Sequence, residues 1–388
     1  MELLVLALFF LKVAKIVTKT IHLTKHLNSY HKSNQMITNV RKGEELDSKK
    51  LSEYLTKVTE RNFENPQIFQ FSGGYSNLTY LIRSEDLQLV LRKPPKGANI
   101  KSGHDMSREF QVLSALYPED IKVPQPLYFC DDHEVLGSDF YIMQYVDGLV
   151  LRADIPSDKF PEPSKMKELF DMFCTQFVHL HASDPKKFAF ADKSDGSKTY
   201  PERQIYGWSS RYQNAKTDEF TPVEQLISWL SSHIPLPSGH SIIHNDYKYD
   251  NIILDEKTLH IKAILDWEMS TVGDPLMDLG SSLGYWVNID DPEWLQNIKL
   301  SPTTIPGNPS REEFLHQYAT ASGKDPGNGV FYYAYGMLKL AVIAQQIYKR
   351  YVTGQTTNPK FAALKMVVEA CGVMGMQAIN RKKIDQLF

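Results

Sequence analysis

Ile243-His244-Asn245-Asp246-Tyr247-Lys248-Tyr249-Asp250-Asn251, followed a few residues later by Ile264-Leu265-Asp266-Trp267, is the stretch on which the reading of this chain turns. It sets out H-x-D-x-x-x-x-N and then a further aspartate, the order that a phosphoryl-transfer site requires. Asp246 is expected to accept the proton of an attacking hydroxyl, while Asn251 and Asp266 supply hard oxygen donors suited to Mg²⁺. Three polar residues at a turn can also simply cap a hairpin. The flanking sequence decides between the two readings. Ser241-Ile242-Ile243, Ile252-Ile253-Leu254 and residues 261–265 are short β-branched runs, and an acid ending a buried apolar strand is costly without partners or a metal.

The composition fits a folded enzyme. With 388 residues, 42% apolar and 23% charged, the chain can build two lobes around a cleft. A net charge of −3 argues against a nucleic-acid partner, which demands a strongly basic surface. Cys130, Cys174 and Cys371 are odd in number and scattered. They read as thiols of a reducing, intracellular compartment, not as a disulfide framework.

The N-terminus departs from this picture. Residues 3–11 form an unbroken apolar run, shorter than the roughly 20 residues that cross a bilayer. Lys12, Lys15, Lys19, His22 and His26 then recur at helical steps opposite Val13, Ile16, Val17 and Leu23. Over residues 1–26 this pattern suits an interfacial helix in peripheral contact with a membrane, a mitochondrial or other targeting segment, an atypical signal sequence, or a helix packed on the enzyme. Residues 1–45 are expected to be an extension of the fold, residues 46–146 a nucleotide-binding lobe, and residues 147–388 the catalytic lobe.

A nucleotide site is expected upstream of the central loop. Residues 69–71 and 79–82 read as strands joined by Ser72-Gly73-Gly74-Tyr75-Ser76-Asn77, where Gly73, Gly74 and Ser76 would let the backbone approach phosphates. In Gln88-Leu89-Val90-Leu91-Arg92-Lys93, alternation puts Val90 and Arg92 on one face and leaves Lys93, the fallback for a phosphate-binding cation and expected to be solvated, on the other. Arg92 thus stands where the kinase pattern V-A-I-K has its lysine, and a guanidinium can grip phosphate oxygens. Glu109, early in a helix over residues 107–116, is expected to pair with Arg92. Phe140-Tyr141-Ile142-Met143-Gln144-Tyr145-Val146-Asp147-Gly148 has the form of a hinge between lobes. There the backbone of Gln144, Tyr145 and Val146 would meet an adenine edge.

Gly73-Gly74, Arg92, Glu109, the hinge, His244-x-Asp246, Asn251 and Asp266 stand in the order of the kinase-like fold. The chain resembles the aminoglycoside phosphotransferase and choline kinase-like family of small-molecule kinases. More narrowly, it is similar to the kinase-like domain fused to some acyl-CoA dehydrogenases. Val90-Leu91-Arg92-Lys93-Pro94-Pro95, Arg108-Glu109-Phe110, residues 265–275 and Tyr348-Lys349-Arg350 carry that closer resemblance. It implies an α+β, two-lobed protein-kinase-like fold, ATP and Mg²⁺, and phosphorylation of a hydroxyl on a small molecule. The fused relatives point to hydroxy acids or their CoA thioesters, with an aminoglycoside or other small alcohol as the alternative. The loop departs from the family in reading His-Asn-Asp for His-Gly-Asp, so Asn245 must tolerate a tight turn. Lys248 matches the lysine of H-R-D-L-K and is read as a catalytic residue offsetting charge on the transferred group.

Gly273-Asp274-Pro275 reads as a turn into a helix, leaving no room for the activation segment of a protein kinase. Asp274 is expected to cap that helix and Asp278 to buttress the catalytic loop. Residues 166–180, 222–233 and 331–353 read as helices. Arg203, Trp208, Tyr212 and Lys339, with Lys349 and Arg350, are the residues expected to hold an anionic acceptor. Two rival classes remain. Gly280-Ser281-Ser282-Leu283-Gly284 matches the hydrolase motif G-x-S-x-G, but that motif needs a strand before it, where Met277-Asp278-Leu279 reads as helix. A nucleotide-binding pseudokinase would suit Arg92, but has no need of Asp246, Asn251 and Asp266 together. His179 and His181 lie two apart on a helix, hence on different faces, and do not read as metal ligands.

Overall fold

The computed structural model describes residues 37–388 apart from 72–76, 86, 97–103, 193–194, 299 and 357. The segment read as amphipathic over residues 1–26 lies outside the described residues, as do Gly73, Gly74 and Ser76. The first lobe runs through β1 (Ile37–Thr38), α1 (Ser48–Thr59), β2 (Gln67–Phe71), β3 (Leu78–Arg83), β4 (Gln88–Lys93), α2 (Met106–Leu116), β5 (Pro126–Cys130) and β6 (Phe140–Gln144). Its six strands form one antiparallel sheet in the order β1-β2-β3-β4-β6-β5. Residues 37–45 belong to this lobe and not to an extension ending at 45. Ile37 pairs with Phe71, and the Glu44 carbonyl accepts a 2.7 Å bond from the Tyr80 hydroxyl.

Period-two alternation gives the sheet two apolar faces. Leu89 and Leu91 join Leu51 and Leu55 of α1, while Val90 turns with Tyr141 and Met143 toward α2 and the main core. Arg92, two after Val90, therefore faces the cleft. Lys93 shares the face of Leu91 and is not solvated. Only 7% exposed, it donates a 2.7 Å bond to the Leu136 carbonyl, and burial lowers its pKa. Asp105 caps α2 by accepting from the Arg108 amide at 2.9 Å, so Arg108 and Glu109 project from the first helical turn.

The second lobe contains α3 (Pro163–Ala182), α4 (Tyr200–Ala215), α5 (Thr221–Ser232), β7 (Ser241–Ile243), β8 (Ile252–Leu254), β9 (Ile261–Ile264), β10 (Thr271–Gly273), α6 (Pro275–Gly284), α7 (Arg311–Ser322), α8 (Val330–Val352) and α9 (Leu364–Arg381). The β-branched runs flanking the central loop do not pair with each other. β7 pairs with β10 and β8 with β9, so two small antiparallel ladders hold the loop between them. Helix α8, 23 residues long, is the axis of the lobe and packs against α4, α5, α6 and α9. Its approach to α6 is close because glycines meet there. A Cβ on Gly280 would strike the Tyr332 carbonyl, and one on Gly284 would come within 2.9 Å of the Gly336 backbone. These two glycines serve helix packing and make no nucleophile elbow.

A candidate phosphotransfer site between the lobes

The central loop alternates between core and cleft. Tyr247 stacks on Phe177 at 4.2 Å and donates to the Phe173 carbonyl at 2.8 Å. Tyr249 packs edge-on to Phe173 at 5.0 Å and bonds Asn308. Aromatic pairs of this kind are worth about 0.5–1.5 kcal/mol each beyond area burial. The anchored tyrosines leave Asp246 and Lys248 to turn together. The Lys248 ammonium lies 3.0 and 2.9 Å from the two Asp246 carboxylate oxygens, and 4.2 Å from the centre of the Tyr285 ring. The Asn251 side-chain amide donates to both the carbonyl and the carboxylate of Asp246, each at 2.9 Å.

The loop is braced from below by Asp278 of α6, which is fully buried. One of its oxygens accepts from the His244 amide and the other from the Asn245 amide, both at 2.7 Å. His181 approaches the same carboxylate at 3.2 Å and reaches the Tyr318 hydroxyl with its other nitrogen, while His179 is exposed on the opposite face. Burial acts to raise the Asp278 carboxyl, but His181, His244 and Lys339 outweigh it and hold the pKa below its ordinary value. Asn245 takes the left-handed conformation at φ 66° that its place in the turn demands. Its side chain is fixed at both ends, donating to the Met269 carbonyl at 3.0 Å and accepting from Tyr200 at 3.2 Å.

His244 joins the loop to the second acid. Its Nε2 meets the Leu265 carbonyl at 2.9 Å, while Nδ1 accepts from the Asp246 amide at 3.2 Å. A carbonyl only accepts and an amide only donates, so the ring is neutral with its proton on Nε2. Burial lowers its pKa accordingly. The Leu265 amide in turn donates to the Asn251 carbonyl at 2.8 Å. Asn251 and Asp266 thus sit at adjoining ends of the β8–β9 hairpin, where Ile252 pairs with Ile264. Asp266 also adopts a left-handed backbone, at φ 68°, a strain that persists where a site fixes it.

From the other lobe, Arg92 reaches across. Its guanidinium lies 2.8 Å from Asp266, 2.9 Å from Glu268 and 3.2 Å from Glu109, which is 2% exposed. The expected Arg92–Glu109 pair is present, although the Nε–H and the Glu109 oxygen are misaligned as a hydrogen bond. Arg108 binds the backbone carbonyls of Glu268 and Ser270, so consecutive residues of α2 grip the segment after Asp266. Burial raises the Glu109 pKa against the pull of Arg92.

For Mg²⁺, the donor chemistry fits. Asn251 has committed its nitrogen to Asp246 and keeps its carboxamide oxygen for a ligand. Asp266 keeps an oxygen beyond the one paired with Arg92, on a side chain 36% exposed. Three carboxylates around one guanidinium also leave this part of the cleft acidic.

At the hinge, the Gln144 amide already donates to the Gln125 carbonyl at 2.8 Å, so it is not open to a base edge; Tyr145 and Val146 are half-buried beyond it. The residues expected around an acceptor are not gathered into one open pocket. Arg203 donates to the Lys198 carbonyl at 2.9 Å on the surface. Trp208 is 6% exposed and bonds Gln204, and Tyr212 is fully buried. Lys339 is 2% exposed, its ammonium on the Asn245 carbonyl and Ser281. Tyr212 and Lys339 therefore pack inside the lobe, because α4 and α8 turn these faces toward each other. Lys349 donates to the Asn214 carbonyl at 2.6 Å, and Arg350 is exposed.

Three residues beside Asp246, Lys248 and Arg92 were not singled out as site residues from sequence. Tyr285 flanks Lys248, and burial, then the Asp246 charge, push its phenol up. Glu268 accepts from Arg92 and from Asn77. Asp250 carries a buried oxygen with no hydrogen-bond partner, and burial raises its pKa. Its adjacency to Asn251 was the only signal. Ser282 lies inside α6, 1% exposed, donating to the Tyr247 carbonyl at 2.7 Å, which is no place for a hydrolytic nucleophile.

Comparison with known proteins shows the family of the chain. A family model described as "Phosphotransferase enzyme family" matches residues 67–314, the span holding Arg92, Glu109, Asp246, Asn251 and Asp266. The chain is 33% identical over 322 residues to acyl-CoA dehydrogenase family member 10 of Mus musculus, covering 82% of this chain and 30% of that protein. It is 31% identical over 345 residues to acyl-CoA dehydrogenase family member 11 of Pongo abelii, covering 86% and 43%. The chain thus spans less than half the length of these curated relatives. Among solved structures, a candidate aminoglycoside phosphotransferase from Ralstonia eutropha matches with a TM-score of 0.73 and 26% identity, over 87% of this chain and 99% of that one.

Proposed function

The chain belongs to the phosphotransferase enzyme family, and on that premise we propose that it moves the γ-phosphoryl group of ATP to a hydroxyl of an acyl-chain acceptor, a hydroxy acid or its CoA thioester. The coarser part of this reading, a small-molecule kinase with an alcohol as acceptor, follows from the family. The observation that carries the mechanism is the Asp246–Lys248–Asn251 cluster beside Asp266. Burial acts to raise the Asp246 carboxyl, but Lys248 outweighs it and holds the pKa below its ordinary value. Asp246 is therefore ionised at neutral pH and can accept a proton.

As the acceptor oxygen bonds to the γ-phosphorus, its proton passes to Asp246 and the bond to the bridging oxygen breaks, leaving ADP. Asn251 on one oxygen and Lys248 on both fix the Asp246 carboxylate, so it meets the incoming hydroxyl in a set direction. Lys248, fixed between that carboxylate and the Tyr285 ring, offsets charge on the transferred group. Arg92 is placed to exchange a carboxylate for phosphate oxygens. Asn251 and Asp266 would hold Mg²⁺, which when bound neutralises charge on the nucleotide phosphates.

The acyl-chain acceptor is favoured because both curated relatives bear acyl-CoA names and because Arg203 offers a positive charge at the surface near the loop-contacting Tyr200. The test is ADP release from Mg·ATP with 3- and 4-hydroxy acids, their CoA esters, choline and aminoglycosides. Acyl acceptors should stimulate it, and Asp246→Asn should lower transfer about 10²–10⁴-fold with nucleotide affinity kept. Stimulation by the cationic compounds alone would overturn the acceptor assignment, and an unchanged rate in the variant would overturn the base.

A further inference from the structure

Lys339 is unusual for a residue of a core helix. Its neighbours Leu338 and Leu340 are buried apolar residues, and it is itself 2% exposed. A buried ammonium without a carboxylate on it is expensive to keep. Its ammonium lies on the Asn245 carbonyl, the Ser281 hydroxyl at 3.2 Å and the face of Trp208 at 5.8 Å, none of them a carboxylate. If only packing mattered here, another leucine would serve better.

The ammonium reaches that carbonyl because of the glycine contact between α6 and α8. Gly336 lies against Gly280, one helical turn before Lys339, and Ser281 follows Gly280. The carbonyl belongs to the peptide that joins Asn245 to Asp246. Asn245 stands in the left-handed region, and its other polar groups are already committed to Asp278, Met269 and Tyr200. The N–H of this peptide, that of Asp246, donates to His244 Nδ1 at 3.2 Å, so His244 holds its amide end and Lys339 its carbonyl end.

We infer that Lys339 is a positioning residue for the transfer reaction: from behind the loop it locks the Asn245–Asp246 peptide in the orientation that presents the Asp246 carboxylate. This rests on the reading of Asp246 as the base. Asp246 and Lys248 face the ammonium from the loop, Asp278 from α6 and Arg211 from α4. Burial outweighs the two acids, and the ammonium has its pKa lowered to about 8. Below that pH the lysine is a charged donor to the carbonyl; above it the charge is lost and the bond weakens.

The lock can be read without turnover. The ¹⁵N shift of the Asp246 amide reports bonding at the Asn245 carbonyl, and ¹⁵N-aspartate labelling of the full chain, assigned with Asp246→Asn, isolates it. In the wild type this shift should move with a midpoint near pH 8, and in Lys339→Met it should lose that step. An identical step in the variant overturns the inference. Kinetically, Lys339→Met should lower kcat tenfold or more with the KM for ATP within twofold, while Ser281→Ala stays within twofold on both. A loss confined to KM, or an equal loss in Ser281→Ala, overturns it. Should Lys339→Met fail to fold, Lys339→Gln is read by the same criteria. If the wild type transfers phosphate to no acceptor, the functional reading fails, and the amide step still decides whether Lys339 holds the peptide.

Discussion

Arg311 is fully buried and Arg92 half-buried, and both are ringed by acids, yet their partners differ in kind. Arg311 grips Asp291 with two nitrogens at 2.7 and 2.6 Å and gives two further donors to the carbonyls of Trp286 and Ile384. Asp291 also caps the Asn288 amide at 2.8 Å. All three guanidinium nitrogens have hydrogen-bond partners, and the cluster ties residues 384–385 to the start of α7. Arg92 instead touches three carboxylates one at a time, from α2 and from the segment after β9, across the lobes. The closed centre serves the fold. The open one can exchange partners, as the phosphate-binding role proposed for Arg92 requires.

The largest expected effect tests that contrast directly. Arg311→Leu leaves Asp291 charged and buried, and should lower the unfolding free energy by about 3–5 kcal/mol, read from urea transitions. The protein that remains folded should bind nucleotide as the wild type does. Arg92→Leu should destabilise less, because Glu109 is already pushed toward its neutral form by burial and can take a proton. Its affinity for a fluorescent ATP analogue should fall about tenfold or more, the worth of one charged hydrogen bond. Equal stability losses with unchanged nucleotide affinity in both variants would erase the distinction.

Asp278 extends the comparison into the catalytic loop, as a closed centre serving an open site. Asp278→Asn swaps an oxygen that accepts a backbone N–H for an amide that cannot. It should cost about 2 kcal/mol at neutral pH and slow transfer by releasing residues 244–245. The pH dependence has a definite sign. The folded pKa of Asp278 lies below its unfolded value, so the carboxylate stabilises the fold above roughly pH 4. That contribution is lost as pH falls through the folded pKa. The stability gap between wild type and variant should hold from pH 7 to 5 and shrink under pH 4. A gap that widens on acidification would contradict the brace.

The difference between these centres also explains what could be read in the sequence. Asp246, Asn251 and Asp266 are set by local spacing and by strands short enough to recognise, so the two-lobed α+β organisation and the gathering of these three side chains at one loop were legible. Arg92 was placed on the cleft face by alternation with Val90, and Asp278 lay within reach of the loop by its place in α6. Lys93 was misjudged because its face is covered by a turn 43 residues away, whose Leu136 carbonyl takes the ammonium. Lys339 could not be placed either. Its burial follows from Gly280, Gly284 and Gly336 drawing two helices together, and a glycine in a helical pattern does not announce its partner. Tyr285 comes beside Lys248 only through the end of α6. Groups fixed by neighbours in sequence were visible, and groups fixed by helices meeting across the lobe were not.

The smallest effect separates the closed side of the loop from its reacting side. Ser282 donates to the Tyr247 carbonyl from within α6 and faces no open space. Ser282→Ala removes one neutral hydrogen bond to a buried carbonyl and should lower the unfolding free energy by about 1 kcal/mol, with transfer from ATP within twofold. A fluorophosphonate probe should leave the wild-type serine unlabelled, because a hydroxyl on a continuous helix lacks both an adjacent base and access. Covalent labelling at 282, or a loss of transfer as deep as that of Asp246→Asn, would place this serine among the reacting groups and undo the division between the two sides of the loop.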